Sequence, residues 1–193
     1  LRAGRWQTGI GVQLRGRALG VFGYGRIGRL DPSTGEARIH MTGEARDPHT
    51  MVFDGNGHIW FTSQGSNRVG RLHMGTEKVE LVTPYDQPSN PYGIVVDDTT
   101  RPWAVLFGTN RVATVDPATM ELKEFVLPAA EARPRRLVRT ADGMIWSGEV
   151  RRGMLGRLTP RDGSGRSSVH CFCCGCIACT WDAAHRAYDA AQP

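Results

Sequence analysis

Residues 48–72, Pro-His-Thr-Met-Val-Phe-Asp-Gly-Asn-Gly-His-Ile-Trp-Phe-Thr-Ser-Gln-Gly-Ser-Asn-Arg-Val-Gly-Arg-Leu, decide the fold of this chain. Short runs of apolar residues alternate there with two polar segments, Asp-Gly-Asn-Gly and Gln-Gly-Ser-Asn. Val, Ile, Phe and Trp favour strands, whereas Gly, Asn, Asp and Ser favour turns. The stretch therefore predicts an antiparallel meander of short strands.

The same pattern recurs along the chain with a period of 43 residues. A proline that opens the unit, a central tryptophan and a small residue near the end keep this register through three copies. They are Pro48, Pro91 and Pro134; Trp60, Trp103 and Trp146; and Gly70, Ala113 and Gly156. An incomplete copy precedes them, because residues 27–32 match residues 112–117. Repeats of this length that contain four short strands are typical of β-propeller blades.

We therefore predict an all-β fold, a β-propeller with four-stranded blades of about 43 residues. Residues 21–160 hold three full blades and part of a fourth. The predicted strands are 24–30 and 36–41 in the incomplete unit, followed by 50–54, 58–63, 67–72, 78–82, 93–97, 102–107, 111–115, 121–126, 136–140, 144–149 and 154–158. An open array leaves unpaired strand edges, so closing the ring is expected to need further blades or self-association.

The two ends of the chain depart from the repeat. Residues 1–20 carry four arginines and match no copy, and we interpret them as a non-repeat segment foreign to the blades. Residues 161–193 form a tail in which all five cysteines lie between positions 171 and 179, next to His170. We interpret this tail as non-native sequence, with metal binding and disulfide formation as the open alternatives.

Charge and hydropathy argue against two kinds of partner. The net charge is +5, but residues 1–20 supply four of these charges, so the blades carry almost none. A nucleic-acid-binding face is therefore not expected. The sequence contains no apolar run of about 18 residues, so we expect no membrane span. No signal peptide is recognisable, and the sequence leaves both a cytoplasmic and a periplasmic or secreted location open.

Four segments carry a family resemblance: residues 48–62, residues 67–72 (Asn-Arg-Val-Gly-Arg-Leu), residues 91–97 (Pro-Tyr-Gly-Ile-Val-Val-Asp) and residues 153–158 (Gly-Met-Leu-Gly-Arg-Leu). They resemble blades of the virginiamycin B lyase (streptogramin lyase) family, and the resemblance covers residues 24–160. It implies a seven-bladed propeller, of which this chain would hold about half. The chain is then expected to be truncated at both ends relative to its family.

The resemblance also implies an activity. The founding enzymes linearise cyclic streptogramin B antibiotics by elimination at an ester-linked threonine, using Mg²⁺ and a histidine base in a Pro-His segment. Pro48-His49 is the matching dipeptide here, so we predict His49 as the catalytic base. The family places this segment in the C-terminal part of its chain, whereas here it opens the first full blade.

The residues after each anchor proline are predicted to converge at one mouth of the central channel, because the innermost strand of each blade lines that channel. The loops after the second strands open on the same face. Convergent polar groups in a concave mouth indicate a binding site. We therefore predict a small-molecule substrate there, with substrate-binding residues Tyr92, Arg135, Arg136, Gln64, Asn67 and Asn110.

Asp47 and Glu149 are the predicted ligands of a Mg²⁺ ion. Asp47 stands where the family has a glutamate before Pro-His, and the nearby Ser63 and Gln64 are weak Mg²⁺ ligands. The predicted function is a Mg²⁺-assisted lyase that opens a cyclic ester. A propeller that only binds small molecules or proteins, and a metal-dependent lactonase, are the alternatives.

Overall fold

The computed structural model of the chain describes residues 19–31, 33–85, 88–160 and 165–169. These residues form fifteen strands and no helix. The strands are β1 Leu19–Gly23, β2 Arg26–Leu30, β3 Ala37–Met41, β4 Pro48–Phe53, β5 His58–Ser63, β6 Arg68–His73, β7 Val79–Val82, β8 Pro91–Val96, β9 Pro102–Leu106, β10 Arg111–Val115, β11 Leu122–Val126, β12 Pro134–Arg139, β13 Ile145–Glu149, β14 Met154–Leu158 and β15 Gly165–Val169. The predicted all-β fold is confirmed.

The strands form four antiparallel sheets in chain order. The first sheet holds β1–β3, and the second (β4–β7), third (β8–β11) and fourth (β12–β15) each hold four strands joined by hairpins. Three complete blades and one incomplete blade are therefore present, as the repeat predicts. Among the described residues, no helix has the length and apolar character needed to cross a membrane.

The structure differs from the prediction at both ends of the array. Residues 24–30 are not one strand, because Tyr24 and Gly25 adopt φ angles of 48° and 73° in the turn between β1 and β2. At the other end, the predicted blades end at residue 160, but β15 lies beyond that residue and pairs with β14. Residues 1–18 and the cysteines between 171 and 179 lie outside the described residues.

Each innermost strand starts at its anchor proline, two residues before the predicted start. Proline suits the first position of a strand because it has no N–H to donate to the ladder. The pairing register then shifts in all three complete sheets, between Pro48 and Thr50, Pro91 and Ile94, and Pro134 and Arg136. An extra residue at such a bulge re-aims the neighbouring side chains, and these are the residues predicted to face the channel.

Apolar side chains fill the spaces between successive sheets. Trp60 lies between the second and third sheets, and Trp103 lies between the third and fourth. Within each sheet a small residue faces its cross-strand partner: Gly70 faces Phe61, Ala113 faces Ala104, and Gly156 faces Ser147. A Cβ atom at Gly70 would lie 2.3 Å from the Phe61 ring, so a larger residue there would not fit.

Candidate functional site

Residues from three different sheets meet at the start of the innermost strands. The rings of His49 and Tyr92 are tilted by 47°, with centroids 4.1 Å apart. Arg135 donates from Nη2 to the Tyr92 hydroxyl at 3.1 Å, and its guanidinium carbon lies 5.1 Å from the centre of the Tyr92 ring. The repeat therefore brings together the three residues that follow the anchor prolines.

Arg136 connects two sheets that are not neighbours in the array. Its Nη1 donates to the Thr50 hydroxyl of the second sheet at 3.2 Å, and its guanidinium carbon lies 4.9 Å from the Tyr92 ring centre. We call His49, Thr50, Tyr92, Arg135 and Arg136 the mouth cluster. It joins the second, third and fourth sheets near the start of β4, β8 and β12.

Thr50 is a member of this cluster that the sequence analysis missed. The 43-residue register relates Thr50, Gly93 and Arg136, so that register could have identified it. At Gly93 a Cβ atom would lie 2.8 Å from the carbonyl oxygen of Arg135. The glycine thus allows the innermost strand of the fourth sheet to approach the third sheet closely.

His49 lies half-buried in a cationic environment. Its burial and the positive charges of Arg136 and Arg135 lower the pKa of the imidazole, and only Asp47 opposes this effect. His49 Nδ1 lies 3.0 Å from the Thr50 hydroxyl oxygen. A lowered pKa keeps the ring neutral near pH 7, which is the state in which an imidazole accepts a proton.

Asp47 anchors the loop that follows β5. Its Oδ1 accepts hydrogen bonds from Ser63 Oγ at 2.7 Å, Ser66 N at 2.9 Å and Ser66 Oγ at 2.7 Å, and its Oδ2 accepts one from Gly65 N. Burial alone would raise the pKa of Asp47, but the hydrogen bonds from Ser63 and Ser66 lower it below its usual value. The carboxylate is thus ionised and already occupied by donors.

Glu149, the second predicted Mg²⁺ ligand, lies at the end of β13 in the fourth sheet and is 1% exposed. Its carboxylate packs over Gly156, where a Cβ atom would lie 2.5 Å from Oε1. Asp47 and Glu149 therefore belong to sheets separated by the third sheet. Within the part of the chain that the structure describes, no three His, Cys, Asp or Glu side chains form a metal-binding group. These residues alone do not fit a Mg²⁺ ion.

Asn67 and Asn110 are predicted to bind substrate. Their side chains instead hydrogen-bond to the segments that connect one sheet to the next. Asn67 Oδ1 accepts hydrogen bonds from the backbone N–H groups of Ser89 and Asn90, at 2.9 and 3.1 Å. Asn110 does the same with Ala132 N at 2.7 Å. Each amide therefore ties the loop after a second strand to the segment that enters the next sheet. We call these contacts the asparagine clasps.

Gln64 takes part in the same connection through its backbone. Its carbonyl oxygen accepts hydrogen bonds from Asn67 N and Asn90 Nδ2, both at 3.3 Å. Of the six predicted substrate-binding residues, Tyr92, Arg135 and Arg136 therefore belong to the mouth cluster. Gln64, Asn67 and Asn110 lie in the hairpin loops after β5 and β9 and hydrogen-bond to the segments that lead into the next sheet.

Several solved structures match the fold of this chain. A virginiamycin B lyase from Staphylococcus aureus matches with a TM-score of 0.69 and 21% identity, covering 76% of this chain and 49% of that one. A streptogramin B lyase matches with a TM-score of 0.69 and 23% identity, covering 76% and 48%. A catalytically inactive variant of the S. aureus enzyme, crystallised with quinupristin, gives 0.69, 20%, 76% and 49%. The chain thus spans about half the length of these enzymes.

At such low identity, these structural matches show only the fold. The family is shown by a sequence model. Comparison with curated protein sequences finds no match. The model of the virginiamycin B lyase family, in contrast, matches residues 19–172, which include all fifteen strands. This chain belongs to the virginiamycin B lyase family.

Proposed function

We propose that the mouth cluster is the reaction centre of a lyase that opens a cyclic ester, with His49 as the general base. The observation that carries this proposal is the position of the half-buried His49 imidazole, whose ring is tilted against that of Tyr92 beside two arginines. Burial and these arginines lower the pKa of His49, which favours the neutral ring that a base requires. If His49 Nδ1–H donates to Thr50 Oγ1, then Nε2 is the basic atom. This atom is the one that would accept the proton.

The proposed reaction is an elimination. His49 Nε2 takes the proton from the carbon next to the carbonyl group, and the electron pair of that C–H bond forms a carbon–carbon double bond. The bond between the adjacent carbon and the ester oxygen then breaks, and its electrons leave with a carboxylate. The ring opens without addition of water, so the product is an isomer of the substrate.

The family resemblance implies Mg²⁺, which would stabilise negative charge on the substrate carbonyl. The described residues do not bring together enough ligands for it. We therefore derive no step through the metal. A Mg²⁺ ion at this site would take ligands from outside the described residues.

The test is incubation of the full chain with quinupristin, the compound crystallised with the S. aureus relative. Mass spectrometry distinguishes the outcomes, because elimination leaves the mass unchanged while linearising the ring, whereas hydrolysis adds one water. We expect a linear isomer, and we expect His49→Ala to lower kcat/KM by roughly 100-fold or more. His58→Ala is the matched control, because His58 contacts His73 within the second sheet and is not in the mouth cluster.

The pH profile of kcat/KM gives a second check on His49. Its pKa lies below the ordinary 6.5, so activity should rise with pH through a value below 6.5 and then stay level. The His49→Ala variant should lack this rise. Quinupristin bound but unchanged would contradict the lyase proposal in favour of a binding module, and addition of water would do so in favour of a lactonase.

A further inference from the structure

Arg135 and Arg136 are half-buried cations for which the structure shows only neutral partners. Arg135 donates to the Tyr92 hydroxyl, and Arg136 donates to the Thr50 hydroxyl. Neither makes an ion pair with a carboxylate among the described residues. Seven other described arginines do, at 3.8 Å or less: Arg38, Arg68, Arg71, Arg101, Arg111, Arg139 and Arg151.

The two guanidinium groups also keep buried donors without acceptors. The Nε atoms of Arg135 and Arg136 are inaccessible to solvent and have no hydrogen-bond partner in the described part of the chain. A guanidinium carries five N–H donors and no acceptor, in a planar fork that matches a carboxylate or a phosphate. The Nε atoms of these two guanidinium groups are buried away from any carboxylate of the described residues, and their Nη donors, which meet only neutral hydroxyls, are the atoms that an anion can reach.

The surrounding surface of the fourth sheet adds positive charge. Arg133 lies 4.3 Å over the Phe107 ring, and the Phe107 ring centre lies 5.8 Å from that of Tyr92. Next to Arg133, an open cleft of about 400 Å³ is lined by Arg151 and by Glu131, and these two form an ion pair at 3.5 Å. The charge of Arg151 is thus offset by Glu131, and Arg133 is the cation that adds positive charge near the mouth cluster, which favours anions there.

We propose that Arg135 and Arg136 form an anion subsite that binds a carboxylate or phosphate group of the ligand next to His49. The location beside a base rests on the proposed function, and the proposed elimination itself releases a carboxylate. The anion binding does not require that reaction. Both anions present oxygen atoms that accept from the guanidinium forks, and they differ in geometry and charge.

Calorimetric titration of the full chain at low ionic strength tests this subsite, with succinate and inorganic phosphate as probes and sodium chloride as the reference titration. We expect one of the two probes to bind, and we expect the double variant Arg135→Gln/Arg136→Gln to bind it about tenfold more weakly or worse. Tighter succinate binding indicates a carboxylate ligand, and tighter phosphate binding indicates a phosphorylated one.

Arg157→Gln is the matched control, because Arg157 is exposed and its guanidinium carbon lies 5.9 Å from the Trp146 ring centre, outside the mouth cluster. Equal weakening in this control, or no binding of either probe, overturns the subsite. If the double glutamine variant does not fold, Arg135→Lys/Arg136→Lys keeps the charge but loses the forks, and it should also bind more weakly.

The failure of the subsite and the failure of the lyase proposal can be told apart. His49→Ala tests the elimination through kcat/KM for quinupristin, whereas the arginine double variant tests the subsite through binding of the probe. If the wild-type chain binds succinate or phosphate but does not linearise quinupristin, the anion subsite stands and the proposed elimination falls.

Discussion

The second and fourth sheets share one repeat register, but the indole N–H of the central tryptophan is hydrogen-bonded differently in each. In the second sheet, Asp54 Oδ2 accepts a hydrogen bond from Trp60 Nε1 at 3.3 Å. The equivalent of Asp54 in the fourth sheet is Thr140, whose hydroxyl bonds instead to Asp142 Oδ1 at 2.5 Å. The indole nitrogen of Trp146 is consequently buried without a partner among the described residues. The aromatic ring is retained, whereas its polar contact is lost.

The same difference recurs at two further positions. Arg71 is buried between the Trp60 ring and Glu80, whereas its equivalent in the fourth sheet, Arg157, is exposed. Asn67 makes a clasp, whereas its equivalent is a glycine, residue 153, which has no side chain to do so. Packing and polar contacts are therefore separable in this repeat. At these three described positions the fourth sheet lacks polar contacts that the second sheet has, and it is also the sheet that supplies the arginines of the mouth.

The largest expected loss of stability comes from substitution of Gly70, the small residue that faces Phe61 on the neighbouring strand. Gly70→Ala would place a methyl group 2.3 Å from the buried Phe61 ring, so we expect the free energy of unfolding to fall by about 3 kcal/mol. Gly156→Ala should cost less, because the atoms it meets are the ends of the Ser147 and Glu149 side chains. Urea unfolding measures both variants. Gly75→Ala, which meets no atom within 4 Å, is the control, and an equal loss there would contradict the packing explanation.

The second-largest expected effect concerns Glu80, whose contact with Arg71 in the second sheet has no counterpart at the exposed Arg157 of the fourth sheet. Hydrogen bonds from Arg71 and His73, followed by Lys78, lower the pKa of Glu80 from 4.5 to about 2. Because the folded-state pKa is depressed, this stabilisation is present above pH 4.5 and is lost as the pH falls towards 2. Glu80→Gln should therefore lower the free energy of unfolding at pH 7 by about 2 kcal/mol.

The pH dependence distinguishes this effect from a simple packing defect. The stability difference between wild type and Glu80→Gln should shrink as the pH falls from 4.5 towards 2 when unfolding is followed by circular dichroism. Glu121→Gln, at an exposed position in the turn before β11, should unfold as the wild type does. A difference that is constant with pH would exclude the ionised carboxylate as its source.

The smallest expected effect is a gain in stability. The double variant Thr140→Asp/Asp142→Thr gives the fourth sheet the residues that the third sheet has at Asp97 and Thr99, where Asp97 Oδ2 accepts from Trp103 Nε1 at 2.8 Å. The new carboxylate should accept from Trp146 Nε1 and raise the free energy of unfolding by about 1 kcal/mol. Thermal unfolding measures the gain, with Thr140→Ala/Asp142→Thr as the control. No gain over that control would mean that Trp146 Nε1 is satisfied in another way.

The fold was largely predictable because the residues that recur at the 43-residue period are the ones that the packing of the sheets requires. Proline, tryptophan and a small residue recur at fixed spacing, and each has a place in the sheets. The hairpin at Tyr24 was not predictable in this way, because its first strand belongs to a unit whose opening proline is missing from the pattern.

The candidate site was predictable only in part. The register placed His49, Tyr92 and Arg135 at one mouth, and they do meet there. The polar residues of the connecting loops look the same in sequence whether they face a ligand or a backbone. Only the structure shows that Asn67 and Asn110 bind backbone N–H groups. Long-range partners such as Thr50 and Arg136, 86 residues apart, depend on the curvature of the array.

The asparagine clasps have a consequence for how such an array evolves. Each clasp joins an asparagine to the linking segment at the end of its own repeat, so both partners lie between one anchor proline and the next. A duplication or deletion cut within the link would separate an asparagine from its backbone partners, whereas one that starts at the anchor proline keeps them together. Gain and loss of blades should therefore favour junctions just before those prolines.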